Sequence, residues 1–165
     1  MVTRVIFVRH GEAEGNIERK FHGHFNSSLT ENGYRQVKLT AEKLKDEPID
    51  VIYSSDLKRT VETAKPIAES HNLDIILDEN LREIYGGDWE GIPWEELPMR
   101  YTESYSNWLH KPHLLVMPNG ESMVDFQKRL LNAVGRIVHA HKGKNICIVT
   151  HGTAIKAMLC EYKGL

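Results

Sequence analysis

Two short stretches of this chain carry an apolar run into a histidine and a glycine: Val5-Ile6-Phe7-Val8-Arg9-His10-Gly11-Glu12 and Ile146-Cys147-Ile148-Val149-Thr150-His151-Gly152. An imidazole at such a place can act as a nucleophile, a proton carrier or a hydrogen-bond donor near neutral pH. Arg9 adds a permanent, forked positive charge suited to phosphate or carboxylate oxygens. One histidine of this kind would most simply end a strand and cap a carbonyl. Two at equivalent ends, one of them joined to arginine, point to an anionic ligand. If the strands are neighbours in an open parallel sheet, His10 and His151 meet outside its carboxyl ends, where such sheets bind ligands. Gly11 and Gly152 would then keep side-chain bulk away and let backbone N–H groups face the anion.

The elements needed to place these residues can be read from periodicity. Residues 2–8 are too apolar for a strand with one exposed face and read as a central parallel strand. After a loop rich in Gly, His and Asn, Thr30 is an N-cap opening a helix through Val37, Leu39, Ala41 and Leu44. A strand at 49–53 leads to a helix capped by Ser55 or Asp56, with Leu57, Val61, Ala64, Ile67 and Ala68 as its core stripe. Further strands are expected at 75–77 and 81–84. The segment 86–119 is aromatic and broken by Gly86, Gly87, Gly91 and Pro93. A long helix over 121–141 presents Met123, Phe126, Leu130, Leu131, Val134 and Ile137, and the strand 145–150 and a helix over 153–162 follow. Strands alternating with helices predict a three-layer α/β/α fold with a mostly parallel central sheet.

Composition narrows the function classes. The chain has 165 residues, 41% of them hydrophobic, enough for one domain with a sizeable core. A formal net charge of −2 and a pI near 6.5 argue against coating nucleic acid or an anionic membrane. Cys147 and Cys160 have neither CxxC nor zinc-knuckle spacing and read as buried thiols of a reducing compartment. With no signal sequence and no apolar run near the roughly 18 residues of a membrane span, a cytoplasmic location is expected.

Five blocks, in order, carry a resemblance: Arg9-His10-Gly11-Glu12 with Asn16; Ser54-Ser55-Asp56-Leu57-Lys58-Arg59-Thr60 with Thr63-Ala64; Leu81-Arg82-Glu83 with Gly87-Asp88-Trp89-Glu90-Gly91; Pro118-Asn119-Gly120-Glu121-Ser122; and Thr150-His151-Gly152. Together they resemble the histidine phosphatase superfamily, the branch that includes cofactor-dependent phosphoglycerate mutase. The resemblance implies one such domain over residues 1–165, with 86–119 as a lid or insert. It also implies a phosphoryl-transfer pocket. His10 would be the nucleophile, Arg9, Arg59 and His151 the phosphate clamp, and Glu83 the proton donor. Asn16 would add a hydrogen bond to the phosphate, and Gly152 would line the pocket. His22 falls where several relatives carry an amide and would contact the substrate. Glu12 would hold a histidine or the loop.

Elementary chemistry supports these roles. Arg9, Arg59 and a protonated His151 could neutralise a phosphate monoester without a metal or cofactor; each opposite pair about 4 Å apart is worth roughly 4 kcal/mol at an effective dielectric near 20. Attack by neutral His10 gives a phosphohistidine and requires the other ring nitrogen to be held as a donor, for example to a backbone carbonyl. Glu83 must be protonated to serve the leaving alkoxide, so its pKa must rise by about 2 from an ordinary value near 4.3. The charge of the substrate's own phosphate dianion pushes that way. His22-x-His24 and His110 with His113 lack a third ligand at metal spacing.

The expected protein is a metal-independent phosphomonoesterase acting on a small, partly apolar phosphorylated metabolite, as monomer or homodimer. Trp89, Trp94, Tyr101, Tyr105 and Trp108 are its aromatic rim, whose permanent cations are Arg100 and Lys111. The alternatives are a phosphoglycerate mutase, which needs a water-excluding basic lid, an α-ribazole phosphatase of cobalamin synthesis, and a non-catalytic phosphate-binding protein. Relatives continue past the helix after the second His-Gly, whereas this sequence stops at Gly164-Leu165 and so reads as a truncated form.

Overall fold

The computed structural model describes residues 2–164; Met1 and Leu165, the ends of the expected single domain, lie outside them. Among the described residues the α-helices and strands are β1 Arg4–Arg9, α1 Glu14–Ile17, α2 Glu31–Leu44, β2 Val51–Ser54, α3 Lys58–His71, β3 Ile75–Leu77, α4 Leu97–Arg100, α5 Thr102–His110, α6 Met123–Ala140, β4 Asn145–Thr150 and α7 Gly152–Lys163. The sheet runs β1-β4-β2-β3, and every neighbouring pair is parallel.

Why the two His-Gly strands are uniformly apolar follows from their place. In β4, Ile146, Cys147, Ile148 and Val149 have no exposed surface. Successive strand residues point to opposite faces. Ile146 and Ile148 pack with Phe126, Leu130 and Val134 of α6 and Met158 of α7, whereas Cys147 and Val149 pack with Ala41 of α2 and Ala64 and Ile67 of α3. In β1, Val5 and Phe7 turn to the first face and Ile6 and Val8 to the second. Both faces are covered, which gives the expected α/β/α layering. Truncating Ile146 or Ile148 to Ala would cost about 2–5 kcal/mol, because close-packed layers collapse only partly around a void.

Several sequence expectations are corrected. The first strand starts at Arg4 and runs on through Arg9. Leu39 is exposed, because helical geometry turns it away from the face that buries Val37 and Ala41. Residues 81–84 are not a strand: a 3-10 turn over Glu79–Leu81 passes into irregular chain, although Leu81 and Ile84 are buried. The segment 86–119 contains α4 and α5, and Trp89 is not a rim residue but fully buried among Phe21, Tyr101, Tyr105 and Trp108. Cys147 is buried as expected, but Cys160 is exposed. Among the described residues no helix is long and apolar enough to cross a membrane.

Candidate active site

Strand pairing brings the two histidines together. Arg9 is in register with Thr150, and the His10 backbone N–H donates to the Thr150 carbonyl at 3.0 Å. The imidazoles of His10 and His151 meet edge to face with ring centroids 5.3 Å apart. His10 Nδ1 lies 2.7 Å from the Gly11 carbonyl oxygen. A carbonyl only accepts, so Nδ1 carries the hydrogen and Nε2 keeps the lone pair. Burial, reinforced by the positive charges of Arg59 and Arg9, pushes His10 down to about 3, so the ring is neutral at physiological pH.

His151 is fully buried, with Nε2 2.9 Å from the Ser55 hydroxyl and Nδ1 without a partner. Burial, with Arg59 and His10 beside it, holds its pKa well below the ordinary value. The expected protonated His151 does not hold in the free protein: the ring is neutral, and Arg9 and Arg59 bring permanent positive charge to the cleft. Ser55 was expected to cap α3, but Leu57 occupies that position and makes no side-chain cap. The Ser55 hydroxyl is turned to the histidine instead, and the carboxylate of Asp56 pairs with Arg82, whose Nε donates to Oδ1 at 2.6 Å.

Arg59 enters from the first turn of α3 and is only 1% exposed. Its Nη1 donates to the Phe25 carbonyl and Nη2 to the Gly23 carbonyl, both at 2.8 Å, while Nε is buried with no partner. Loss of hydration lowers its pKa to about 10 against the pull of Glu83 and Glu90, so it stays charged at neutral pH. Glu90 ties this loop to the segment after Glu83: Oε1 accepts from the His24 N–H at 2.7 Å and the Gly86 N–H at 3.1 Å. Gly23 sits at φ +50°, and a Cβ there would lie 2.3 Å from Glu90 Oε1. Glu90 falls within Gly87-Asp88-Trp89-Glu90-Gly91, yet its type alone gives no sign of this role.

Glu83 comes from the irregular chain beyond β3. Its Oε1 accepts from the Ile84 N–H and its Oε2 from the Thr153 N–H, each at 3.0 Å. Burial raises its pKa, opposed by those two N–H groups and by Arg59. The segment is braced by Arg129, which donates to the Asn80 carbonyl at 2.8 Å and clasps Glu121 at 2.8 and 2.9 Å. Thr150 Oγ1 donates to the Leu81 carbonyl at 2.7 Å, joining the brace to the end of β4.

Arg9, His10, Asn16, His22, Arg59, Glu83 and Gly152 line one cleft of about 350 Å³. His151 is the exception among the expected site residues, lying behind His10 rather than on the cleft wall. Asn16 Oδ1 accepts from the Ala13 N–H at 2.9 Å, which leaves its amide NH₂ as a donor. Burial, aided by Arg59, lowers His22 to about 4, and its Nε2 is buried without a partner. Glu12 holds the loop as expected, accepting from Thr30 Oγ1 at 2.7 Å. Gly11 is corrected: its N–H is spent on Thr63 Oγ1 at 3.0 Å, and a Cβ would meet Gly33 O and Val37 Cγ2 at 2.9 Å. It is small because the loop packs on α2. At Gly152 a Cβ would lie 3.3 Å from Arg9 Nε, so that glycine does make room for the site.

The spacing arguments missed Lys20, Thr153 and Lys156, which also line the cleft. Lys156 lies one helical turn beyond Gly152 on α7, and that was the one signal available. Of the aromatic segment, Trp94 and Trp108 reach the cleft, whereas Arg100 pairs with Glu96 at 3.2 Å. Among the described residues no group of three or more His, Cys, Asp or Glu side chains could hold a metal ion.

The chain belongs to the histidine phosphatase superfamily (branch 1), whose model matches residues 5–165. Within that class it is a phosphatase, similar to several proteins that carry that name. Phosphoserine phosphatase 1 of Hydrogenobacter thermophilus is 35% identical over 99% of this chain and 78% of its own length. The solved structure of Bacillus stearothermophilus YhfR superposes with a TM-score of 0.94 at 35% identity, covering 99% of this chain and 81% of the other. A putative α-ribazole-5'-P phosphatase from Escherichia coli has a TM-score of 0.90 at 26% identity, covering 100% of this chain and 81% of the other.

Proposed function

We propose that the protein is a metal-independent phosphomonoesterase that hydrolyses a small phosphorylated metabolite through a phosphohistidine on His10, with Glu83 as general acid and then general base. The observation that carries this reading is the Nδ1–H of His10 on the Gly11 carbonyl at 2.7 Å. It fixes the tautomer whose Nε2 lone pair can attack phosphorus. Arg9 and Arg59 meet the two charges of the dianion, and the buried Nε of Arg59 gains an acceptor when phosphate arrives. Asn16 and His22 add donors from the α1 side. His151 takes up a proton as phosphate charge develops beside it, because a nearby dianion favours the imidazolium. Glu83, whose pKa burial raises, delivers a proton from its acid form to the leaving oxygen. It then withdraws one from the water that cleaves the phosphohistidine.

All these side chains come from one chain, so a monomer can do the chemistry. The free thiols of Cys147 and Cys160 support a reducing, cytoplasmic location. Residues 86–119 serve as the lid through Trp94 and Trp108. Arg100 is engaged by Glu96 instead of facing the cleft, which favours hydrolysis over a mutase cycle that must rebind an acidic phosphoglycerate. Phosphoserine and α-ribazole phosphate are the monoesters that the relatives' names put first for assay. Rapid-quench labelling with a ³²P-monoester tests the reading. Label on the wild type that is absent from His10→Ala is expected, and equal label on both overturns it. Restoration of chelator-treated protein by added metal would overturn the metal-independent clamp.

A further inference from the structure

A second cavity, of about 550 Å³, lies between α6 and α7 and is larger than the cleft that holds the reactive side chains. The two adjoin, because Trp108, Thr153 and Lys156 line both. Beyond that junction the apolar walls include Met123, Val124, Ala157 and Cys160, with His113 and Gln127 as the polar members of the lining. Among the described residues, Val124 and Cys160 are exposed.

The chemistry of the first cleft gives this groove a direction. A proton donor must touch the oxygen that leaves, so the alcohol half of the substrate begins beside Glu83. Glu83 Oε2 in turn accepts from the Thr153 N–H at 3.0 Å. The substrate therefore leaves the phosphate site on the Thr153 side, where the groove opens. The opposite rim, with Asn16, His22 and Lys20 paired to Glu18, is polar. At the junction, the Lys156 stem can lie along the groove while its ammonium stays in water.

We propose that the groove between α6 and α7 binds the alcohol half of the substrate, and that the preferred class is a phosphomonoester of an extended, apolar alcohol. Resting on the assignment of Glu83 as the acid, it makes the groove the specificity site. A short alcohol ends within the first cleft and leaves the groove unused, whereas a longer alkyl chain crosses Thr153 towards Met123 and Val124.

The test is a series of n-alkyl phosphates from ethyl to octyl, whose leaving groups share one chemistry. We expect kcat/KM to rise by about fourfold for each methylene fully buried in the groove, as for burial of apolar surface. Cys160 supplies a plug: a bulky maleimide attaches there, because burial pushes the Cys147 thiol up to about 12 and shields it. The modified protein should lose the chain-length slope while hydrolysing ethyl phosphate as before, and on Cys160→Ser the reagent should have no effect on the series. A flat series, or a slope that survives the plug, overturns the proposal. So does a changed oligomeric state on modification with every kcat/KM unchanged, which would make the groove a protein contact. Glu83→Gln separates the two readings: it should impair alkyl phosphates far more than p-nitrophenyl phosphate, whose leaving group needs no proton. Equal defects overturn the Glu83 assignment and the groove with it. A flat series with that split intact overturns the groove alone.

Discussion

His10 and His151 end adjacent parallel strands, and each is followed by glycine, yet their surroundings differ at every point. His10 lines the cleft, with one ring nitrogen tied to its neighbour's carbonyl and the other left with a lone pair. His151 lies behind it without exposed surface, one nitrogen on the Ser55 hydroxyl and the other without a partner. A strand end decides where an imidazole sits. Its hydrogen-bond partner and its burial decide what it can do. Both rings are neutral in the free protein because burial beside Arg59 disfavours charge on either, so the two histidines are separated by access and not by titration.

The sharpest way to break this comparison is His10→Ala. It should lower kcat/KM by about 10⁴-fold or more and abolish phosphohistidine in an acid-labile label assay, as the proposed covalent route on His10 requires. Label moving to His151 would show that the strand ends are interchangeable. Next, Glu83→Gln should cost about 10²–10⁴-fold on alkyl monoesters. The sign of its pH effect follows from the direction of the shift. The acid form is the active one and burial raises its pKa, so kcat/KM holds below that pKa and falls as pH rises through it. The glutamine variant should lose that alkaline fall.

His151→Ala should be milder, about 10²–10³-fold, because it removes charge stabilisation and leaves the nucleophile. Label should still form on His10, more slowly. Smaller again is Ser55→Ala, expected to cost about 1–3 kcal/mol of stability by leaving a buried ring nitrogen unsatisfied, and readable in a urea titration. Acid stability gives the subtlest test. His10 and His22 fall from 6.5 to about 3 and about 4 on folding, and His151 falls as well. Between those values and 6.5 the unfolded chain binds more protons, so their contribution is complete above about pH 6.5 and is lost as pH falls. Tm should drop across that window, and His22→Gln should flatten part of the drop.

How much of this was legible varies from place to place. The strands carrying His10 and His151 were readable because a strand covered on both faces must be apolar at every position. Arg59 could be located, but its near-complete burial could not, because that depends on carbonyls from residues 23 and 25 arriving from another part of the chain. Residues 81–84 read as a short extended stretch with apolar Leu81 and Ile84 at its ends. The backbone there instead bends to aim Glu83 at Thr153, and nothing local encodes that. Leu39 and Cys160 were placed inside on residue type alone, which fails wherever helix phase turns an apolar side chain outward.

What the sequence by itself determined is the inventory and its order: apolar strands, helix phases, and the residue types able to attack, clamp and protonate a phosphate. Those follow from periodicity and side-chain chemistry, which are properties of neighbouring residues. The tertiary structure alone decided the protonation states, the tautomer at His10, the use of Ser55 and Gly11, and the groove that opens past Thr153. Each depends on desolvation and on hydrogen bonds between groups far apart in the chain, and these exist only once the layers have packed.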